Sequence, residues 1–394
     1  MSWPVVKLKD CCQSIADGDH QAPPKVDQGV PFITISNIIH NELDFTNTMF
    51  VPESYYNSID NKRRAKKGDI LYSVVGSFGI PVLITEDKKF SFQRHIAILR
   101  PNISIIDKYF LYYTMLCPDF YAMADAVAIG AAQRTISLNS LRNLEIKLPP
   151  LNIQKKIVNI LSPYDALIKN NNKQIKLLEE AAQRLYKEWF SDLRFPGHES
   201  TKIVDGVPEG WEVCAIDDIC SLRKTVIKAQ DIPHGIPYIG LEHIPRKDFC
   251  LSSWGNSSEI FSNKYQYEEN DILFGKIRPY FHKVGFSINK GVASTDTIIM
   301  VARDNSLWGL LLLSVFSEEF VRYSYQNCKE GAKMPRADWN IMKKYKILKP
   351  EKNILTKFNT IILRITEKIK KLALQNKIAR EARNILLPQL MNNI

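Results

Sequence analysis

Leu148-Pro-Pro-Leu-Asn-Ile-Gln-Lys-Lys-Ile-Val-Asn-Ile-Leu161, continued by Leu177-Leu-Glu-Glu-Ala-Ala-Gln-Arg-Leu-Tyr-Lys-Glu-Trp-Phe190, decides the architecture of this chain. Across it Ile153, Ile157, Ile160, Tyr164, Leu167, Asn171, Gln174, Leu178, Ala182, Leu185 and Trp189 follow alternating steps of four and three. That spacing is a heptad seam, the pattern that keeps one stripe of an α-helix against a partner helix. Ile168 and Ile175 widen the stripe. Pro163 lacks a backbone donor and crowds the preceding turn, so it should kink or restart the helix.

The same segment returns further along. Pro149 recurs as Pro350, Ile153 as Ile354, Gln174 as Gln375 and Leu185 as Leu386, each 201 residues later. The second seam reads Ile354, Phe358, Ile361, Ile365, Lys368, Leu372, Gln375, Ala379, Arg383, Leu386 and Leu390, with Ile362, Ile369 and Ile378 beside it. Either helix could pack on its own globule, but Tyr164 to Phe190 would span ~40 Å at 1.5 Å per residue, more than a small domain covers. Pairing of the two helices is therefore expected. Asn171, Gln174, Gln375 and Asn376 at mid-seam would set the register by hydrogen bonding.

Upstream of each helix the repeat continues in shorter runs. Trp3–Leu8 returns as Trp211–Ile216, Val30-Pro-Phe-Ile33 as Ile236-Pro-Tyr-Ile239, and Gly68-Asp-Ile-Leu-Tyr72 as Asn270-Asp-Ile-Leu-Phe274. Gly130–Arg134 matches Gly331–Arg336. These β-branched runs bounded by Gly, Pro and Asp favour strands. The expected class is α+β: a strand-rich globule at 1–148, helix at 149–192, linker at 193–207, a second globule at 208–349 and a second helix at 350–394.

Lys and Arg number 53 against 42 Asp and Glu, a net charge of +11 with pI near 9.1, so the 394-residue chain should be drawn to polyanions, nucleic acid first. Seven cysteines form no C-x-x-C and read as thiols of a reducing compartment. No signal-peptide pattern and no membrane-length apolar run stands out, which suggests a cytoplasmic protein without a membrane partner. There is no phosphate loop, no G-x-G-x-x-G and no metal spacing among the seven histidines. Ser162-Pro163-Tyr164 falls one proline short of the loop with which adenine methyltransferases hold a flipped base. No catalytic residue and no metal ligand is expected.

Three places could meet DNA. Lys62-Arg63-Arg64-Ala-Lys66-Lys67 suits phosphate contacts, although a solvated charged face is the plain alternative. In Phe274-Gly-Lys276-Ile-Arg278-Pro-Tyr280-Phe-His282-Lys283 the cations alternate at strand spacing, which would put Lys276, Arg278, Tyr280 and His282 on one base-reading face. A charge-protected edge strand gives the same pattern. The counterpart around Ser77 carries no cation, so the halves should read different sequences. Third come Gln133 and Arg134 in one half and Lys333, Met334 and Arg336 in the other, with Gln suited to adenine and Arg to guanine.

The segments quoted at the start, with Phe195-Pro-Gly-His-Glu199, resemble the central conserved region of the specificity subunits of type I restriction-modification enzymes. Asn384-Ile-Leu-Leu-Pro-Gln-Leu-Met391 resembles their distal conserved region, and Gly331–Trp339 a common end of their second recognition domain. The resemblance implies two target-recognition domains held apart by an antiparallel coiled coil in a pseudo-two-fold repeat. It implies a non-catalytic subunit reading a split, asymmetric target in double-stranded DNA and docking two methyltransferase subunits and the restriction subunits of a prokaryotic complex. S-adenosylmethionine would sit on the methyltransferase subunit, none on this chain. Ile157, Leu167, Asn171, Gln174, Leu178, Leu185, Trp189, Phe358, Ile365, Leu372, Gln375 and Leu386 would form the helix and partner interface. Major-groove faces recur every ~34–36 Å, a spacing that a helix of ~40 Å could bridge. A stand-alone DNA-binding regulator is the other reading of so basic a repeat, though no helix-turn-helix is evident.

Overall fold

The computed structural model describes residues 3–39, 41–45, 48–131, 133–326 and 334–392. They gather into two compact units, Met1–Ala166 with Ala379–Ile394, and Leu167–Ile378. The division falls inside both long helices, Leu151–Tyr186 and Lys352–Asn392. Each unit thus holds one strand-rich globule and a stretch of each helix.

In the first unit Ile70–Ser73 lies between Ile96–Pro101 and Pro81–Leu83, with Cys12–Asp17 along the far side of Ile96–Pro101, all antiparallel. In the second, Ile272–Gly275 lies between Thr297–Ala302 and Val284–Ser287, with Cys220–Leu222 again beyond the former. The parallel pair Val30–Ile33 with Ser91–Phe92 has its counterpart in Pro237–Ile239 with Gly291–Ala293. The first and last strands of each globule also pair, Val5–Lys7 with Glu145–Lys147 and Glu212–Ala215 with Lys346–Lys349. The sequence repeat is therefore a repeat of topology.

The central strands are apolar throughout because both of their faces are covered. Alternation sends Ile70 and Tyr72 into a core with Phe110, Ile157, Leu161 and Leu387, while Leu71 enters another with Ile33, Phe90 and Ile98. Likewise Ile272 and Phe274 meet Trp189, Phe358 and Ile362, and Leu273 meets Ile239 and Ile299. Each such side chain contributes ~1.5–3 kcal/mol by leaving water.

Behind each central strand sits a buried carboxylate. Asp69 takes two bonds from Arg100, 3.0 and 2.8 Å, and caps the turn at the Lys66 N–H, 2.8 Å. Asp271 takes two from Arg223, 2.6 and 3.1 Å, and caps the Glu268 N–H, 2.8 Å. Bidentate pairing offsets the cost of burying these charges.

The helices pair antiparallel within the second unit, where Asn171 lies beside Gln375 and Trp189 beside Phe358, ring centroids 5.5 Å apart. Asn171 donates to Gln375 at 3.4 Å and Asn376 to Asn172 at 2.7 Å, the polar layer expected at mid-seam. A π turn at Lys187–Ser191 brings the neighbours Trp189 and Phe190 both inside. In the first unit Arg383 donates to Asp165 at 2.5 Å, and the Tyr113 hydroxyl to the same carboxylate at 2.6 Å.

Two expectations about the helices are corrected. Leu151–Tyr186 runs through Pro163 without restarting. Pro163 and Asn159, whose carbonyl loses its donor, both face solvent, where water can replace the missing bond. The packed stripe is also rotated by about one residue from the seam read in sequence. Ile160 (44 % exposed), Leu167 (43 %) and Ile361 (37 %) point outward, whereas Leu161, Ile168 and Ile362 are buried. Gln375 and Lys368 are exposed while Asn376 and Ile369 are buried, and Gln174 is half-buried. Ile157, Asn171, Trp189, Phe358 and Leu372 are buried, and Leu178, Leu185, Ile365 and Leu386 are partly buried against the cores.

Candidate nucleic-acid interface

Each central strand runs out into a turn that is strapped by the segment ahead of the last short helix of its globule. In the first globule Val75 bridges Thr135, Gly76 N–H donates to Arg134 O at 3.0 Å and Ile136 N–H to Val74 O at 3.0 Å. In the second, Ile277 bridges Arg336, Arg278 N–H donates to Pro335 O at 2.8 Å and Ala337 N–H to Lys276 O at 2.8 Å. Bond for bond, residue 76 corresponds to 278 and residue 134 to 335. The structure thus joins two of the candidate segments, Ser77 with Gln133 and Arg134, and the run from Lys276 with Arg336. Lys333 lies outside the described residues.

The turn in the second globule is not the strand that alternation suggested. The strand ends at Gly275, and Pro279–Phe281 forms a 3₁₀ turn between Arg278 and His282, both left-handed with φ of +50° and +52°. Pro279 cannot donate to a ladder, which stops the strand. The four side chains therefore do not share a face. His282 turns inward, 3 % exposed, with its ring 4.6 Å from Phe316 and Nδ1 3.6 Å from the Glu318 carboxylate. Burial holds its pKa below the ordinary histidine value although Glu318 opposes this. A base contact by His282 is thus corrected to a core position.

The cations around this turn differ in how far they are committed. Lys276 donates to Thr295 O at 2.6 Å, and desolvation lowers its pKa. Lys283 is half-buried with its ammonium on Leu241 O, and burial lowers its pKa also. Arg336 donates to Asp296 at 2.9 Å. Arg278 and Tyr280 (47 % exposed) project outward. Lys224 and Arg336 both lie close enough to disfavour the charge on Lys276, and Arg246 covers the Phe281 ring at 3.9 Å. Sequence reading missed Lys224 and Arg246, because each lies more than 30 residues from the turn and only folding delivers it.

The equivalent turn of the first globule is nearly neutral. Arg134 is locked by bonds of 3.0 and 2.6 Å to the Asp125 carboxylate. Ser77 and Gln133 are exposed, and Phe78 stacks on Tyr121 at 5.2 Å beneath them.

The basic run stands apart from this turn, since Lys66 and Lys67 precede the strand Ile70–Ser73 and Ser77 follows it. Arg64 serves the fold, its guanidinium bonding Ile59 O at 2.9 Å and Asn57 O beside the Tyr56 ring. That corrects its assignment to DNA. Arg63 lies 3.4 Å from Asp17, while Lys62, Lys66 and Lys67 are exposed. Lys62 and Arg63 line an open concavity of about 440 Å³ with Lys9, Gln13, Ser14 and Arg142. Four cations line it with the carboxylate of Asp60, and although Arg63 also faces Asp17 and Arg142 donates to Ile15 O at 2.6 Å, the excess of positive charge suits an anionic backbone. Among the described residues no group of three or more His, Cys, Asp or Glu could hold a metal ion, and no helix is long and apolar enough to cross a membrane.

Residues 2–180 and 208–382 match the family model of the type I restriction modification DNA specificity domain. A relative from Methanocaldococcus jannaschii is 34% identical over 218 residues, 54% of this chain, and the match spans about half (51%) of that relative. The chain is also similar to the type I restriction enzyme HindI specificity subunit of Haemophilus influenzae, 22% identical over 99% of both chains. In fold it is similar to the type I restriction-modification S subunit from M. genitalium, with a TM-score of 0.57, 16% identity, and coverage of 100% of this chain and 96% of that one.

Proposed function

Since the chain belongs to the type I restriction modification DNA specificity family, we propose that it is the non-catalytic subunit that reads a bipartite, asymmetric DNA target for methyltransferase and restriction subunits. One observation carries the proposal. The same strapped turn occurs in both globules, yet it presents Ser77 and Gln133 in one and Arg278 and Tyr280 in the other. Two equal frames with unequal side chains suit two short blocks of different sequence. Phosphate contacts from Lys62, Lys66, Lys67 and the neighbouring concavity would hold register without conveying sequence.

Docking of the methyltransferase subunits, two per chain, falls to the outer faces of the helices. Leu167, Leu177, Leu363, Leu374 and Ile378 are exposed there, 37–55 % and 65 % for Ile378, more apolar surface than a solvated helix needs. S-adenosylmethionine and base flipping then belong to those subunits.

Co-expression with a methyltransferase subunit of its own system, in a host lacking other modification, tests this reading. Methylated adenines confined to one two-part asymmetric motif, and lost when this chain is omitted, are expected. Methylation unchanged without the chain, or no association of the two proteins, would sink it.

A further inference from the structure

Residues 76 and 278 occupy one position of the repeated turn, and both are left-handed, φ +75° and +50°. Gly76 adopts this conformation without a Cβ to clash. Arg278 carries a Cβ into a region that L side chains avoid, so its presence needs a reason. Packing offers none. Its side chain is exposed and, among the described residues, makes no ion pair or hydrogen bond; its guanidinium has only a long cation–π contact, 5.9 Å from the Phe281 ring centroid.

The backbone beneath it is held firmly. Arg278 N–H is bonded to Pro335 O at 2.8 Å, Phe281 N–H returns to Arg278 O at 2.9 Å, and Pro279 fixes the next φ. In the same turn and strap Lys276 is committed to Thr295 O and Arg336 to the Asp296 carboxylate, so neither is a free donor. A guanidinium that is rigidly based, exposed and, among the described residues, without a hydrogen-bond or ion-pair partner is available to a planar pair of acceptors.

Resting on the proposed function above, we infer that Arg278 is a specificity-determining residue of the second domain, donating bidentately to O6 and N7 of a guanine in the major groove. Arginine's fork matches that acceptor pair, which distinguishes guanine from the other bases. At the equivalent turn Gly76 offers no side chain, which leaves Ser77 and Gln133 to read their block through neutral groups, with Gln133 suited to adenine.

The test uses the full chain with its methyltransferase subunit and maps methylated adenines for wild type, Arg278→Gly and Arg278→Lys. Both variants should relax one guanine position in one half of the motif, by roughly 5- to 150-fold in discrimination, and leave the other half intact. Glycine suits the positive φ, so Arg278→Gly should melt no lower than wild type, which separates lost reading from lost folding. An unchanged motif in both variants overturns the inference, as does methylation that falls uniformly across sequences, the mark of a phosphate contact. Absence of directed methylation by the wild type sinks the proposed function and this inference together, whereas an active wild type with an unchanged variant motif sinks the inference alone.

Discussion

At one position of a repeated turn the first globule has glycine and the second arginine, yet both backbones take the left-handed conformation and both donate to a strap carbonyl, at 3.0 and 2.8 Å. The buried carboxylates teach the same lesson from the inside. Asp69 and Asp271 hold equivalent places, but Asp69 draws its guanidinium from Arg100 within the neighbouring strand and Asp271 from Arg223 just beyond the outer strand. The frame is preserved by backbone bonds and one buried acid. What varies is the side chain outside and the route by which charge is balanced inside.

The sharpest way to break this comparison is to remove the acids. Asp69→Ala and Asp271→Ala each leave a partly buried arginine unpaired and a turn uncapped, and should each cost ~3–5 kcal/mol, read by chemical denaturation. Unequal losses, with one variant near wild type, would show that the two frames are not energetically equivalent.

A second difference concerns pH. Glu179 in the second unit is buried, accepts the Phe249 N–H at 2.7 Å, and is pushed up to about 8, first by burial and then by Asp248. A carboxyl whose folded pKa is raised stabilises fully below its unfolded value of ~4.3 and loses that contribution as pH rises through the folded value. Stability should therefore fall between about pH 4.3 and about pH 8 on this account. Glu179→Gln, a neutral isostere that keeps the acceptor, should flatten the slope and be the more stable above that window. Melting temperatures across the range decide it, and parallel profiles for the two proteins would refute it.

The smallest expected effect lies at the turn itself. Gly76→Ala meets only the Gln133 side chain at 3.7 Å, so its cost is backbone strain alone, ~1–2 kcal/mol. A thermal melt showing no loss would mean that the positive φ is not enforced, and would remove the contrast with Arg278.

Much of the fold was legible because apolar spacing reports directly on burial. The runs at Ile70 and Ile272 announced strands, and the 201-residue recurrence announced two like halves. The candidate site was read less well. Alternation suggested one face for Lys276, Arg278, Tyr280 and His282, but Pro279 turned the chain and His282 went into the core, where its ring meets Phe316. Arg64 in a basic run looked like a DNA contact, yet nearby carbonyls claimed it. Similarly, isoleucines stand at both 361 and 362, so periodicity had no means of choosing which one packs.

By itself the sequence determined the repeat, the paired helices and the unequal chemistry of the two turns, since each follows from residue type and spacing along the chain. Only the tertiary structure decided which face of each helix is covered, which cations are already committed, and that positions 76 and 278 share a positive φ and a bond to the strap. Those outcomes depend on partners that the fold selects, Asp125 nine residues from Arg134, Asp296 forty residues from Arg336, and the strap carbonyls 58 and 57 residues from the two turns. Hydrogen bonding and burial are settled by distance in space, which residue order does not encode locally.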